Sequence, residues 1–249
     1  MKFSFINGNG IKLLAAVLMV IDHIGAIFFP QIVWLRCVGR ISFPLFAYML
    51  AVGCKYTRNK VYHFLLLSAA AAICQSVYFA VTGSLRLNIF FTFALSALLI
   101  YCLRGLGDCI MRGAGALICL LPCMAFAGMV FLTYLLCSVS DINGVPFGVE
   151  YGFWGCMLPV FPAAADIALE ISKAEIFPSL RRFACIFSFA AGLVLLSAFH
   201  SSVIQWYCML SLVPLVFYNG MRGKLNLKYF FYIFYPAHLA LFYLISLLI

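Results

Sequence analysis

An aspartate and a histidine stand side by side, Asp22-His23, inside the first long apolar run of the chain, Ile11–Phe29. A charged side chain near the middle of a bilayer helix costs about 2.5–3.5 kcal/mol on insertion scales, so it faces protein or a water-filled cavity and needs a partner. An imidazole that titrates near neutral pH can take a proton from an amine or hydroxyl, or carry one along a transport path. Neighbouring side chains on a helix diverge by about 100°, so Asp22 and His23 do not form a simple dyad with each other. Asp22 needs a cation from elsewhere, and Arg36 and Arg40, spaced i, i+4 on the next apolar run, are the candidates. Such a contact satisfies both charges, and as a structural clamp it needs no catalysis.

Lys12 precedes His23 by three helical turns with about 20° left over, which places it on the same stripe about 16 Å toward the start of the helix. A lone lysine at a helix end is ordinarily a snorkelling anchor. Together with His23 it suits an extended ligand whose anionic head lies by Lys12 and whose reactive end lies by His23. A second group comes from the last apolar run, where Tyr235, Pro236 and His238 follow a series of aromatics. Pro236 frees a backbone carbonyl near Tyr232 and makes a kink, beside which His238 becomes a further site candidate. Asn88, at the start of another run, is a polar group at similar depth. Asp166 and Glu170, one turn apart, read as an interfacial pair for Lys173 or Arg181, while His63 and His200 read as surface residues.

The elements that must position these groups are membrane helices. Of 249 residues, 66% are hydrophobic and only 9% charged, which leaves too few polar residues to cover a water-soluble domain. The expected architecture is all-α: one integral membrane domain over residues 1–249, a polytopic transmembrane bundle of about nine helices. The expected spans are 11–29, 33–54, 61–81, 87–103, 114–137, 153–170, 181–199, 203–218 and 229–248, each about 20 residues as the hydrocarbon thickness requires. The first is too long for a signal-peptide core and lacks a small-residue cleavage site, so it is read as retained. Asn7 to Gly10 offers turn residues and an N-cap before it.

The net charge of +9 falls in short clusters between apolar runs, which argues for topology rather than for nucleic acid. Lys55, Arg58 and Lys60, then Arg104 and Arg112, then Lys173, Arg181 and Arg182, then Arg222, Lys224 and Lys228 all share one side with Lys2. The positive-inside rule puts that side, and the N-terminus, in the cytoplasm. The eleven cysteines show neither CxxC nor zinc-ligand spacing, so they read as small apolar core residues and no metal is predicted.

Ile11 to Ala15 running on to the Asp22-His23-Ile24-Gly25 motif, Gly39 to Ala47, and Thr57-Arg58-Asn59 resemble the N-terminal half of the TraX family. Further along come Leu87 to Thr92, Tyr151 to Gly155, Gln205-Trp206-Tyr207, Tyr218-Asn219-Gly220 and Phe231 to Leu239. The resemblance covers most of the chain. One departure is Val149-Glu150 before Tyr151, where the family usually carries an aspartate. The family is named for the enzyme that acetylates the N-terminus of conjugative pilin. The Lys12 to His23 spacing is also similar to the basic-x10-His pattern of the acyltransferase-3 family, in which the histidine is taken as catalytic and the donor as acyl-CoA.

The resemblance implies a membrane acetyltransferase using acetyl-CoA as co-substrate, in the inner membrane of a bacterium. His23 with Asp22 would be catalytic, and Lys12, Arg36, Arg40, Asn88, Tyr235 and His238 would shape the site or hold donor and oxyanion. The acceptor is open between a pilin N-terminus, a glycan and a small molecule, and the oligomeric state is left open too. The competing expectation is a proton-coupled transporter or flippase with Asp22, His23 and Arg40 at mid-depth. A passive scaffold leaves the adjacent Asp and His in the first span without a purpose.

Overall fold

The computed structural model describes residues 5–173, 177–225 and 227–248. Among them, eight helical segments are long and apolar enough to cross a membrane: Gly8–Ile27, Val33–Tyr56, Lys60–Phe79, Ile89–Met111, Ala116–Ser138, Gly152–Ile171, Pro178–Ala198 and Tyr229–Ser246. The protein is therefore a polytopic α-helical membrane protein, as its composition requires. The chain divides into two compact units, one built from its two ends, Met1–Met49 and Leu193–Ile249, and the other from Leu50–Gly192.

The first unit begins with α1, Gly8–Ile27, three residues earlier than expected. Asn7 caps it, its side-chain oxygen accepting from the Gly10 N–H at 2.9 Å. Other first-turn donors find carbonyls far along the chain: Gly8 N–H donates to Met221 O at 2.7 Å and Asn9 N–H to Arg222 O at 3.0 Å. The Asn9 amide adds a bond to Leu225 O at 2.7 Å. A helix start leaves such N–H groups without intrahelical partners, and here the segment after residue 217 supplies them.

The second expected span is two helices, α2 (Val33–Gly39) and α3 (Ser42–Tyr56), parted at Arg40-Ile41. The cause is in the sequence. Pro44 has no N–H to give the Arg40 carbonyl four residues back, and its ring clashes with that carbonyl, while a proline in the first turn of a new helix is tolerated. The Ser42 hydroxyl then ties α3 to α1 by donating to Ala15 O at 2.7 Å.

The expected helix over 203–218 is instead a 3-10 helix, Val203–Ser211, running into α10, Leu212–Val216. As an α-helix these residues would span only about 21 Å. At the 2.0 Å rise of 3-10 geometry the segment reaches about 25 Å, close to the hydrocarbon thickness of about 30 Å. It starts against α2, and beyond α10 Phe217 O and Asn219 N–H pair with Ile6 on either side of a short parallel bridge. The segment therefore returns from the far end of α1 to its start, and Arg222 and Lys224 come to the end that holds the N-terminal lead. The last helix of this unit is α11, Lys228–Ser246, which packs on α1.

The second unit contains α4 (Lys60–Thr82), α5 (Ile89–Met111), α6 (Ala116–Ser138), α7 (Gly152–Met157) and α8 (Val160–Ile171), with α9 (Pro178–Ala198) entering it. Here α5 is central, packed by α4, α6, α7 and α8. The expected 153–170 span is again two helices, α7 and α8, because Pro162 denies its N–H to the Leu158 carbonyl. A small sheet that the all-helical expectation missed is ordered β1-β3-β2, from Leu85–Leu87, Val145–Val149 and Asp141–Ile142. Strands β2 and β3 are joined at Asn143-Gly144, both at positive φ (53° and 80°), the geometry of a tight hairpin turn.

Asp166 and Glu170 of α8 form an ion-pair cluster. Asp166 meets Lys55 at 2.7 Å and Arg181 at 2.5 Å. Glu170 meets Arg181 at 2.5 Å, Lys55 at 3.3 Å and also Arg104. Of the two expected partners Arg181 takes part, while Lys173 ends α8 on the surface, in a left-handed conformation at φ 50°.

Candidate functional site

The site candidates of the first unit gather where α1, α2 and α11 meet. Two glycines let α1 and α2 approach. A Cβ at Gly39 would fall 2.3 Å from Asp22, and one at Gly25 would fall 2.7 Å from the Leu35 Cβ, so neither position accommodates a side chain as packed. Small residues that bring backbones together are the usual device of membrane helix pairs, where lipid offers no hydrophobic drive to associate. The close approach sets Asp22 on Arg36: Nη1 lies 2.7 Å from Oδ2 and also donates to the Asp22 carbonyl at 3.0 Å. Of the two arginines expected to partner Asp22, Arg36 does so. The other carboxylate oxygen of Asp22, Oδ1, is buried without a hydrogen-bond partner among the described residues.

Arg40 forms no ion pair among the described residues, and its Nε is buried without a hydrogen-bond partner. The helix break puts this guanidinium at the mouth of α3, where its charge acts on both Asp22 and His23. Lys12 lies toward the start of α1, with its Nζ 6.0 Å from the centre of the Phe231 ring.

His23 and His238 come together across α1 and α11, with His238 Nε2 3.3 Å from His23 Nδ1. His238 is only 6% exposed, stacked on Phe234 at 5.3 Å and flanked by Tyr235 and Phe242. The hydrogen bonds determine where the protons sit. His238 Nδ1 faces Phe234 O at 2.9 Å, and a carbonyl can only accept, so Nδ1 carries the hydrogen and Nε2 of the neutral ring keeps its lone pair. His23 Nδ1 faces both Met19 O at 2.9 Å and that lone pair, so it too carries the hydrogen. His23 Nε2 is left unprotonated, with no protein donor claiming it among the hydrogen bonds of the described residues. That atom is a base. The ring of Tyr235 stands edge-on to His23, 6.5 Å between centres.

Asn88 belongs to the second unit and its role there is structural. It caps α5 through Phe90 N–H at 3.0 Å and donates to Ala71 O at 2.9 Å, joining α4 to α5. His63 is not a plain surface residue, since its Nδ1 lies 2.6 Å from the Tyr101 hydroxyl. His200 is half-buried and accepts from Ser202 N–H at 3.1 Å. Burial and the nearby Arg40 cation hold its imidazole below the usual histidine value.

Residue-by-residue reading missed Gln205 and Ser211, both completely buried in the 3-10 helix. The available signal was polar or thiol side chains at 205, 208 and 211. A period of three rather than 3.6 is what a 3-10 helix requires to keep them on one face.

Fold and site together define an integral-membrane helical protein with an Asp–Arg clamp on its first helix and a histidine pair between helices α1 and α11. The chain belongs to the TraX family, whose model, described as TraX protein, matches residues 7–246. It is also 26% identical over 246 residues to the probable fimbrial assembly protein FimC, serogroup H1, of Dichelobacter nodosus, a similarity covering 93% of this chain and 92% of the relative. No solved structure matches it.

Proposed function

We propose that the protein is a membrane acetyltransferase that moves an acetyl group from acetyl-CoA to an amine or hydroxyl, His23 Nε2 being the general base. The observation that carries this reading is the hydrogen-bond chain Phe234 O, His238, His23, which leaves one imidazole nitrogen unprotonated inside a membrane helix. In the reaction, the acceptor N–H or O–H gives its proton to His23 Nε2 as the acceptor atom attacks the thioester carbonyl. The tetrahedral intermediate then collapses with cleavage of the C–S bond, and the thiolate of CoA takes the proton from His23.

The His23 imidazolium formed on the way keeps its Nδ1–H on the His238 lone pair and the Met19 carbonyl. Arg40, a cation without an ion pair among the described residues, is suited to stabilise the oxyanion. Asp22, held by Arg36, fixes the turn of α1 that carries His23 and offsets part of the local positive charge. Lys12, toward the start of α1, is the cation we assign to the phosphates of the donor.

A pilin-like N-terminus is the acceptor class that the family and the fimbrial-assembly relative favour, in the inner membrane of a bacterium, with glycans and small secreted molecules as the other classes. Two spans broken by proline favour the second reading, a proton-coupled transporter, because discontinuous helices often line transport sites. One experiment separates the two: binding and turnover of radiolabelled acetyl-CoA by the purified protein in nanodiscs, native against His23→Ala. Saturable binding with CoA release lost in the variant is the expected result. Absence of binding at millimolar acetyl-CoA in folded protein would refute the acetyltransferase reading, and unchanged turnover in the variant would remove His23 from the mechanism.

A further inference from the structure

The 3-10 helix Val203–Ser211 is nine residues long, where such helices rarely exceed three or four. Its geometry has a consequence for side chains. At three residues per turn, positions i, i+3 and i+6 eclipse, so Gln205, Cys208 and Ser211 form one stripe, and all three are 0% exposed. An α-helix would fan them apart. Cys208 is engaged by the Ser197 hydroxyl at 3.3 Å. Gln205 is different: among the described residues neither its Oε1 nor its Nε2 has a hydrogen-bond partner, and the polar group beside it is the Cys208 thiol, a weak donor and acceptor. Buried amides are nearly always paired, and one left open needs a reason.

The helix packs on α2, whose end carries Arg40, itself with a buried Nε that has no partner. The Arg40 charge acts on His200 and on Cys208, which flank Gln205 along the chain, and also on His23. One buried amide, offering a donor and an acceptor, and one buried guanidinium donor are thus left open on two elements that pack together, and the guanidinium charge reaches the proposed base.

We propose that Gln205 and Arg40 form a subsite for consecutive amide groups of the ligand that reaches His23. The carbonyl of one ligand amide accepts from Gln205 Nε2–H and Arg40 Nε–H, and the N–H of the neighbouring amide donates to Gln205 Oε1, since the C=O and N–H of a single trans amide point in opposite directions. A carboxylate would use the two donors and leave Oε1 unpaired, so the donor and acceptor pattern selects an amide. Two ligands carry that chemistry: the pantetheine arm of acetyl-CoA and the first peptide bonds of a peptide acceptor. The placement of the amide next to His23 rests on the acetyltransfer reading, whereas the open Gln205 amide does not.

The test compares the native protein with Gln205→Met, an unbranched replacement of similar size, in nanodiscs, with Gln205→Leu as a second shape. Melting without ligand and binding of two probes, pantetheine and trialanine amide, are measured. The expected result is that Gln205→Met melts at or above the native temperature, because an open buried amide has been removed, yet binds one probe at least tenfold more weakly. Loss confined to pantetheine assigns the subsite to the donor, and loss confined to trialanine amide assigns it to the acceptor.

The subsite is overturned if neither probe binds the native protein, if both probes bind native and variant alike, or if both variants melt well below native, which would mean that Gln205 already has its hydrogen bonds. Acetyl-CoA turnover, run in parallel, separates the two readings. Probe binding lost in the variant without any turnover in the native protein would leave the subsite standing and remove the acetyltransfer reading. Turnover with probe binding unchanged in the variant would do the reverse.

Discussion

Replacing Gly39 with alanine tests whether the contact of α1 with α2 is what holds Asp22 in place. The new methyl would sit 2.3 Å from both Cβ and Oδ1 of Asp22. Carbon atoms settle at about 3.5–4.0 Å, so something must move by about 1.2–1.7 Å. Asp22 cannot swing away freely, because its carboxylate is fixed by Arg36 at 2.7 Å. The strain therefore passes into the helix pair, at an overpacking cost of about 1–3 kcal/mol. For a chain of this size that corresponds to a melting temperature lower by about 2–12 °C. Because His23 follows Asp22 on the same turn, a displacement of about 1 Å is also enough to lower turnover about a hundredfold.

Gly53 in α3 provides the control, since a Cβ there meets nothing within 4 Å. Gly53→Ala should be neutral or stabilising by up to about 1 kcal/mol through helix propensity. The assay is thermal unfolding in nanodiscs followed by acetyl-CoA turnover for both variants. If Gly39→Ala melts and turns over as Gly53→Ala does, the close approach is not what positions Asp22 and the packing argument is wrong.

The remaining predictions concern the histidines. His238→Phe keeps the stack on Phe234 but removes the lone pair facing His23, so kcat should fall about ten- to a hundredfold with KM for acetyl-CoA changed less than twofold. His238→Gln, which retains an acceptor, should recover part of the rate, and equal losses in kcat and in thermal stability for both variants would make His238 a packing residue only. His200 gives a pH dependence. Its imidazole is held below the ordinary value by burial and Arg40, so the folded state prefers the neutral form. The stability this contributes is complete above about pH 6.5 and is lost as pH falls through the lower folded-state value. Melting measured from pH 7.5 to 5 should therefore fall more steeply for native protein than for His200→Gln, and parallel curves would count against the assignment.

Much of this was legible because bilayer physics writes strong signals. Spans follow from runs of apolar residues, and Asp22 inside such a run demanded a cation, which Arg36, one of the two candidate arginines of the next run, supplied. His238 could be suspected from its place after Pro236. Where the reading went astray, a local effect outweighed the hydropathy pattern. Pro44 and Pro162 each parted a span that reads as continuous. The 203–216 segment is apolar enough for a helix, and hydropathy does not distinguish a rise of about 2.0 Å per residue from one of about 1.5 Å. The Asn143-Gly144 turn was a hairpin signal in plain view, but its flanking strands are too short to show alternation.

The unit that holds the histidine pair is assembled from the two ends of the chain, His23 and His238 standing 215 residues apart. At a synthesis rate of about 5–20 residues per second, α1 waits in the membrane for on the order of ten to forty seconds before α11 exists to meet it. During that interval Asp22 can already be neutralised by Arg36, which follows within 14 residues, so the first helix crosses as a charge-compensated pair with α2. The tautomer of His23 is set within α1 by the Met19 carbonyl, and α11 later brings the His238 lone pair to share the same hydrogen. The charge clamp of α1 is thus local in sequence, whereas the histidine pair forms only once α11 has joined the same unit.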